Sequence, residues 1–511
     1  MGNAPFTTRP QPISEIAFSG GLNSTAGPFA VSNIESSDLQ NIDFNRFGSI
    51  LKRNGYAELT TATISSGNNS DGLYWFEFES SGTKRKLVNI INGSFYKMDV
   101  DGDGEPDGTW DDATNGQTIT ADSFWDFTTW RNKLFATNGT DTPLQWDGAG
   151  TSSLTTATLP TGVTRPKYNE LYENYLFYLN VYVSGTKEGS RFYWSALNDE
   201  TSWDAADFIR ISDNDGTEIT GAQVLSDRLV VFKERSIFNV FFTGQRDIPF
   251  VVQKSNSSVG CVSAYSIQEV ENGIVFLSQD GFYFYDGNNS YKMSDKITTT
   301  LDNYSFSSAR SINQKNKNRY MCALTTGTTN DRVVVWDYYN NAFSIYVGIN
   351  ASAMAIAYIN GTEERPYFAD YNGFAYRADT GQNDRPAGVA TAINAYFYTN
   401  WKALSDLVIK KAILNAVIYY QLNDATLTFA YSYDFDETDQ YTETFTTQAD
   451  ALIWDEGNWD EKNWAGTGGG RRRVDLTGRG NVVRMKFANS TLSESFRIDG
   501  LGIYAQGETA V

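Results

Sequence analysis

The sequence predicts an all-β protein: a β-propeller of about seven blades, preceded by an extended N-terminal arm and followed by a C-terminal β-sandwich. Three observations lead to this prediction. Aromatic residues make up 14% of the 511 residues, and aromatic and β-branched residues favour strands. A short motif recurs seven times between residues 92 and 377. After about residue 385 this period is lost, although further strand-like segments follow.

The recurring motif is a turn residue, often with Gly, followed by alternating aromatic and aliphatic residues that commonly end in Asp. Its clearest copy is DGFYFYDG, Asp280 to Gly287. The copies begin at residues 92, 141, 190, 235, 280, 331 and 372, and a four-stranded blade needs roughly 40–50 residues. Most copies follow another short strand about ten residues upstream, which predicts hairpins. Six or eight blades, or unrelated hairpins in a large sandwich, are the alternatives.

The segments on either side of the repeat differ from it. We predict an extended arm over residues 1–60, because Gly20-Gly21 and Gly27-Pro28 break regular elements, and we expect it to contribute a strand where the ring closes. The propeller is predicted over residues 61–385. Residues 386–511 are predicted to form a β-sandwich with Trp-rich and Gly/Arg-rich loops, because five strand-like segments follow one another there. They begin at residues 395, 416, 427, 482 and 496.

Composition excludes several classes of function. The chain has 41 basic and 61 acidic residues, a formal charge of −20, and such a surface repels nucleic-acid phosphates. It has no histidine, which excludes Ser-His-Asp and Cys-His nucleophiles and His-ligated zinc. No apolar run approaches the roughly 20 residues that span a bilayer, and no secretory signal is expected at the N-terminus. We therefore predict a structural protein and not an enzyme.

The most specific local motif is the acidic stretch DVDGDGEPD, which starts at Asp99. Its carboxylates at positions one, three, five and nine can converge on one cation, Gly104 at position six permits a sharp turn, and Glu105 at position seven can offer its carbonyl. Oxygen-rich loops of this kind suit structural Ca²⁺, although Trp110 occupies the position where the usual loop has Glu. A solvated acidic turn is the alternative. The predicted ligands are Asp99, Asp101, Asp103, Glu105 and Asp107.

Two segments of the C-terminal region are predicted to contact other subunits or partners. Trp454, Trp459 and Trp464 are five residues apart, a spacing that fits neither a strand nor a helix face, so we predict a long loop. Trp-rich loops are frequent contact surfaces, and folding back onto the parent domain is the alternative. Gly468-Gly469-Gly470 leads into Arg471, Arg472 and Arg473. We expect these arginines to dock against an acidic neighbouring subunit, with phosphate contact as the alternative.

Several stretches resemble one known family, the tail nozzle or hub ("stabilisation") proteins of short-tailed bacteriophages. They lie at the beginning, middle and end of the chain. The stretches are FSGGLN from Phe18, PF from Pro28, LQNID from Leu39, GSILKRNGY from Gly48, GCVSAYSI from Gly260, GIVFLSQDGF from Gly273 and FRIDGL from Phe496.

The resemblance implies a homohexameric ring in the virion tail, assembled in the bacterial host cytoplasm. Such a ring sits below the adaptor, or head-to-tail connector, continues the DNA channel, retains the packaged genome until DNA ejection, and carries tail fibres or a plug protein. DNA would pass transiently, without sequence-specific binding. The alternative is a carbohydrate-binding or glycan-cleaving propeller of the tailspike kind.

Overall fold

The computed structural model describes residues 11–15, 17–80, 82–151, 153–211, 215–403, 407–408, 410–447 and 469–507. These residues form 42 strands, one short helix and a few 3₁₀ turns, so the fold is all-β, as predicted. The chain packs into two compact units. The propeller unit comprises residues 57–333 and 349–378, and the second unit comprises residues 1–56, 334–348 and 379–511. The three-part division predicted from the sequence stays a prediction.

The N-terminal segment carries four short strands of the second unit. They are β1 (Gln11–Glu15), β2 (Ser36–Gln40), β3 (Ile42–Phe44) and β4 (Ile50–Lys52). All four pair with other strands of that unit: β2 joins one sheet, and β1, β3 and β4 join another. Pairing supplies partners for the backbone N–H and C=O groups of a segment too short to fold alone.

Seven four-stranded sheets follow. Their strands, in chain order, are β5 (Tyr56–Glu58), β6 (Ser70–Glu79), β7 (Thr83–Ile91), β8 (Ser94–Val100), β9 (Pro106–Asp112), β10 (Asp126–Trp130), β11 (Lys133–Thr137), β12 (Leu144–Trp146), β13 (Thr155–Thr156), β14 (Val163–Tyr172), β15 (Tyr175–Val183), β16 (Thr186–Trp194), β17 (Phe208–Arg210), β18 (Ile219–Leu225), β19 (Arg228–Lys233), β20 (Ile237–Phe242), β21 (Phe250–Lys254), β22 (Gln268–Val270), β23 (Gly273–Ser278), β24 (Gly281–Tyr285), β25 (Ser290–Lys292), β26 (Ser305–Gln314), β27 (Arg319–Thr325), β28 (Arg332–Asp337), β29 (Ala342–Val347), β30 (Ala353–Ile359), β31 (Glu363–Ala369) and β32 (Ala375–Ala378). Six sheets are consecutive sets of four, starting at β6, β10, β14, β18, β22 and β26, and the seventh has the order β30-β31-β32-β5.

The repeat seen in the sequence corresponds to one strand of each sheet. Its seven copies coincide with the third strands, β8, β12, β16, β20, β24, β28 and β32. The second strands, such as β23 with every residue buried, lie inside the sheet and between neighbouring sheets. That position explains why they are continuous apolar runs, while the first and fourth strands are more polar. The propeller of seven blades is confirmed.

Neighbouring sheets pack face to face around a ring. Phe177 of β15, Leu229 of β19 and Phe250 of β21 share one apolar core. A second core joins Leu87 of β7 to Tyr367 of β31, so the last sheet contacts the first. The ring is also closed by the chain itself, because the N–H of Leu59, directly after β5, donates to the carbonyl of Ala375 at 2.9 Å. The N-terminal segment thus supplies the closing strand expected from the sequence.

The second unit adds ten strands after the propeller. They are β33 (Asn383–Asp384), β34 (Thr391–Ala392), β35 (Ala395–Thr399), β36 (Lys411–Gln421), β37 (Thr426–Tyr433), β38 (Tyr441–Thr446), β39 (Gly469–Asp475), β40 (Arg479–Gly480), β41 (Val483–Asn489) and β42 (Arg497–Gly507). One sheet has the order β2-β35-β41-β37-β38, and the other has the order β3-β4-β42-β36-β39, with β1 on β42 and β40 on β36. Tyr420 and Phe445 bring the two sheets together with ring centroids 5.9 Å apart, as in a β-sandwich.

The helical elements are confined to connections of the chain. The one α-helix of the described residues, α1, spans Thr298–Leu301, and 3₁₀ turns span Ala264–Ser266, Asp295–Ile297, Lys315–Lys317 and Pro386–Gly388. Among the residues that the structure describes, no helix is long and apolar enough to cross a membrane.

Candidate functional site: the central cavity of the propeller

The seven blades surround a central cavity of about 690 Å³ that is open to solvent. Residues from the first strand of every sheet line it, namely from β6, β10, β14, β18, β22, β26 and β30. This arrangement follows from the fold, because the first strands are the innermost strands of a radial array. The volume is within the range of sites that hold small molecules, so the cavity is the candidate site.

Two carboxylates from neighbouring blades face the cavity. Asp126 Oδ2 accepts a hydrogen bond from the backbone N–H of Asn169 at 2.9 Å, and Glu170 Oε1 accepts one from the N–H of Leu171 at 3.1 Å. Burial raises the pKa of Asp126 to about 7. Burial, and then the negative charge of Asp126, raises the pKa of Glu170 to about 8. Among the described residues neither carboxylate has a basic partner. No positive charge therefore lowers the two pKa values back towards their ordinary range.

Aromatic rings form the wall beside these carboxylates. The rings of Tyr74 and Phe127 stack with centroids 5.3 Å apart. The hydroxyl of Tyr74 and Thr129 Oγ1 are hydrogen-bonded at 3.0 Å. Burial, together with the negative charges of Glu170 and Asp126, raises the pKa of Tyr74 to about 12. Tyr74 is therefore a neutral aromatic surface next to two acidic groups.

Arg310 of β26 occupies another part of the wall. Its Cζ is 3.6 Å from the ring centre of Phe124 and 4.8 Å from that of Tyr265. Its Nε and Nη1 donate to the carbonyls of Ser352 at 3.1 Å and Ala309 at 2.8 Å. Burial lowers the pKa of Arg310. The guanidinium is thus held by backbone carbonyls and aromatic faces, without an ion pair to Asp126 or Glu170.

Two buried polar atoms of the lining residues have no hydrogen-bond partner among the described residues. They are Asn169 Oδ1 and Trp125 Nε1. Asn169 is only 4% exposed, and its Nδ2 donates to the carbonyl of Asp126 at 3.1 Å and to Thr137 Oγ1 at 3.0 Å. Leaving such an acceptor unpaired costs roughly 1–3 kcal/mol. Both unpaired atoms are themselves buried, so they lie within the wall formed by β10 and β14 and not on the surface of the cavity.

The acidic loop predicted to bind calcium is the turn between β8 and β9, and its carboxylates are engaged in separate interactions. Asp99 forms ion pairs with Lys86 and Lys97. Asp101 Oδ1 accepts hydrogen bonds from the backbone N–H groups of Asp103 at 2.9 Å and Glu105 at 3.0 Å. The backbone of the loop is therefore held by Asp101 itself.

Of the remaining three predicted ligands, Asp103 is exposed, and Glu105 and Asp107 face different neighbours. Glu105 forms ion pairs with Arg365 and Arg377 and accepts a hydrogen bond from the Tyr367 hydroxyl at 2.8 Å. Asp107 Oδ1 accepts one from the N–H of Thr109 at 2.9 Å. The described part of the chain contains no group of three or more acidic or cysteine side chains placed to hold a metal ion. The calcium site stays a prediction.

The predicted contact residues divide into two groups. Trp454, Trp459 and Trp464 lie outside the described residues. Arg471, Arg472 and Arg473 are exposed, and they lie on strand β39, where the sequence suggested a loop. The pairing of β39 with β36 explains the difference, because Arg471 to Arg473 are in register with Tyr419 to Val417. Arg472 pairs with Glu443 at 3.2 Å.

The N-terminal stretches that carry the phage resemblance are sites of close packing in the second unit. Phe18 is fully buried against Phe397, with ring centroids 5.7 Å apart. Gly21 has φ of +74°, and a Cβ there would be 2.6 Å from the backbone nitrogen of Phe343. Arg53 Nη1 and Nη2 donate to the two oxygens of Asp384 at 2.8 and 2.6 Å. These residues are therefore required by the fold.

Sequence reasoning did not find the cavity. Its residues come from seven strands whose starts are between 37 and 56 residues apart along the chain, and no shared residue type marks them. Asp126 and Glu170 give no signal of their own, because both belong to first strands, which carry other polar residues as well.

The ring of seven sheets and its lined cavity define a β-propeller protein. Residues 118–340 match the family model described as the β-propeller of bacteriophage P22 Gp10, named Phage_stabilise. The match covers the larger part of the propeller and less than half of the whole chain. It supports a structural tail protein of a bacteriophage. No curated protein matches the chain.

Solved structures with similar folds have low sequence identity to this chain. "YCF48 bound to D1 peptide" covers 67% of this chain and 100% of that chain at 9% identity, with a TM-score of 0.42. The "WD40 beta propeller domain of Doa1" covers 63% and 96% at 10% identity, with a TM-score of 0.39. The computationally designed Ika8 protein covers 63% and 99% at 12% identity, with a TM-score of 0.38.

Proposed function

We propose that this chain is the tail nozzle or hub subunit of a short-tailed bacteriophage. The observation that carries the proposal is the match between residues 118–340 and the propeller of P22 Gp10. In this role the chain forms a homohexameric ring below the adaptor, continues the DNA channel, retains the packaged genome and anchors tail fibres or a plug. The protein is non-enzymatic and is part of the virion tail after assembly in the host cytoplasm.

Two further properties support this role. The formal charge of −20 suits a ring through which DNA passes without binding, because like charges keep the phosphates from adhering. Exposed arginines, Arg471 and Arg473, lie on a strand of the second unit, and they would serve as contacts to acidic surfaces of neighbouring subunits or of the adaptor ring.

The test is the native mass and the electron-microscopic image of the purified chain, alone and with the purified adaptor ring. We expect a six-fold ring with an axial channel wide enough for duplex DNA. The variant Arg471→Glu/Arg473→Glu should weaken ring formation, while Arg479→Glu, at another exposed position of the same unit, serves as the matched control. A chain that stays monomeric in both samples contradicts the proposal.

A carbohydrate-active propeller is the second candidate, and the cavity provides one observation in its favour. Glycan-cleaving sites use a pair of carboxylates, and Asp126 and Glu170 lie beside the aromatic rings of Tyr74 and Phe127. Turnover of purified capsular or lipopolysaccharide glycans, lost in Asp126→Asn and in Glu170→Gln, would establish this function. The role of tail nozzle would then describe only part of the function of the chain.

A further inference from the structure

The pair of carboxylates in the propeller cavity has no explanation in the role of a tail ring. Asp126 and Glu170 come from the first strands of adjacent blades and share one cavity wall. Each is half-buried in the wall of the cavity, and neither has a basic partner among the described residues. A carboxylate that is partly removed from bulk water without a counter-charge is costly, and a cationic ligand would offset this cost.

The surroundings of the two carboxylates indicate the kind of cation. Calcium takes six to eight oxygen ligands and magnesium six, whereas no group of three or more acidic side chains suited to a metal ion occurs in the described residues. The rings of Tyr74 and Phe127, which stack on each other, line the same cavity as the two carboxylates. Aromatic faces next to carboxylates attract organic ammonium groups, which carry their charge on an apolar body.

We propose that the central cavity of the propeller binds a small organic ammonium ion. Its charged nitrogen lies between Asp126 and Glu170, and its apolar part lies against Tyr74 and Phe127. The volume of about 690 Å³ accommodates a molecule of this size. This inference does not depend on the nozzle proposal.

Binding is expected to depend on pH through the two carboxyl groups. The other titratable or charged groups that line the cavity or feel the charge of Asp126 are Tyr74, Tyr168, Tyr265, Arg310 and Tyr358. Burial raises the pKa of each of these tyrosines above its ordinary value, so they stay neutral, and Arg310 stays charged. The carboxyl pKa values of about 7 and about 8 predict that the ligand releases protons when it binds, and that affinity rises with pH.

The experiment measures binding to the purified full-length chain by calorimetry and by thermal shift at pH 8.5. The probes are choline, whose charge does not change with pH, and benzylammonium, which can donate hydrogen bonds. The neutral controls are 3,3-dimethylbutan-1-ol and benzyl alcohol. We expect at least one of the two cations to bind and to raise Tm, and its neutral analogue to bind about ten-fold more weakly or not at all.

The variants Asp126→Asn and Glu170→Gln keep the shape and the hydrogen-bond acceptors of the side chains and remove their charge. We expect each to weaken binding of the cation about ten-fold or more. Glu234→Gln, an exposed position of the propeller, is the matched control and should bind as the wild type does. Melting curves without ligand establish that each variant is folded.

The wild-type chain provides a readout that needs no variant. Choline or benzylammonium should bind more tightly at pH 8.5 than at pH 6, where both carboxyl groups hold their protons. The proposal is overturned if neither cation binds at pH 8.5, if the neutral analogues bind equally well, if affinity is the same at both pH values, or if both variants bind with unchanged affinity.

Discussion

Asp126 carries an energetic penalty that depends on pH. Its pKa is raised from 3.8 to about 7 by burial, so the folded protein retains a proton that the unfolded chain loses above about pH 4. Stability therefore falls as the pH rises from about 4 to about 7, by roughly 1.4 kcal/mol for each unit of the pKa difference, and it is constant above that window. The cavity keeps this carboxylate at the expense of stability at neutral pH.

Replacing the carboxylate with an amide should remove this penalty. Asp126→Asn keeps an oxygen that accepts the hydrogen bond from the N–H of Asn169, and it cannot ionise. We expect the variant to gain stability relative to the wild type at pH 8 and to gain much less at pH 5, as measured by Tm. Glu234→Gln should show the same small difference at both pH values. An equal effect of Asp126→Asn at pH 5 and pH 8 would contradict the assigned pKa shift.

Arg53 shows how a single residue can organise the second unit. Its guanidinium is 1% exposed and forms a bidentate pair with Asp384, which is 7% exposed. Nε donates to Asn41 Oδ1 at 2.8 Å, and Nη2 donates to the carbonyl of Val347 at 2.9 Å. Paired in this way, a buried charge is tolerated, and the pair holds together three segments of the chain, around residues 41–53, 347 and 384.

Among the elements, the segment around β5 and β32 closes the propeller ring, and a glycine permits its geometry. Gly373 has φ of +86°, its carbonyl accepts a hydrogen bond from the N–H of Ile64 at 2.9 Å, and a Cβ there would collide with the carbonyl oxygen of Ser65. Gly185 is a matched position, because it has φ of +84° and a Cβ added there would meet no heavy atom within 4 Å. The two glycines differ in surrounding space and not in backbone conformation.

Alanine substitutions at Gly185 and Gly373 test the closure of the propeller ring. We expect Gly185→Ala to lower the free energy of unfolding by about 1–2 kcal/mol, the cost of a left-handed backbone for a residue with Cβ. Gly373→Ala should cost more, because the collision with Ser65 adds to that term and the closing segment must move. Tm values of the two variants check this expectation. Equal losses of stability in the two variants would contradict this expectation, because they would show that the closing segment moves away from the added Cβ without an energetic cost.

The β8–β9 turn is the second element with a test. Calcium at the loop would have to replace the contacts of Asp99 with Lys86 and Lys97, and those of Glu105 with Arg365. If the predicted site binds, a chelator lowers the Tm of the wild type and has no effect on Asp101→Ala/Asp103→Ala. The matched control is Asp227→Ala, on a different, exposed turn, which should respond to the chelator as the wild type does. Identical melting of the wild type with and without chelator means that the loop is only a turn.

At the scale of the whole molecule, the charge predicts how the chain meets DNA. A formal charge of −20 repels the phosphate backbone, and at about 0.15 M salt the repulsion acts over roughly 8 Å. We expect no retardation of duplex DNA by the purified chain in a gel-shift assay. The single-residue changes discussed above should not alter this result. Retention of DNA that weakens steeply with added salt would contradict the expectation, because it is the signature of phosphate contacts.

The local pattern of the sequence determined the strands and their number per blade. Aromatic-rich strands, such as Gly281–Tyr285, are encoded within a few neighbouring positions, and seven copies of the motif predict seven sheets. The C-terminal strands were visible for the same reason. The strand that carries Arg471 to Arg473 was not, because its charged residues lack that alternation and only pairing with β36 holds them in a sheet.

Only the tertiary structure decided the candidate site. Asp126, Glu170 and Tyr74 belong to three blades, and their positions in the chain give no sign that they meet. Closing the ring brings the first strand of every blade to one axis, because radial packing leaves the innermost strands nowhere else to lie. Strand formation depends on nearest neighbours along the chain and can be seen in the sequence, whereas the cavity depends on contacts between distant residues and exists only in the folded ring.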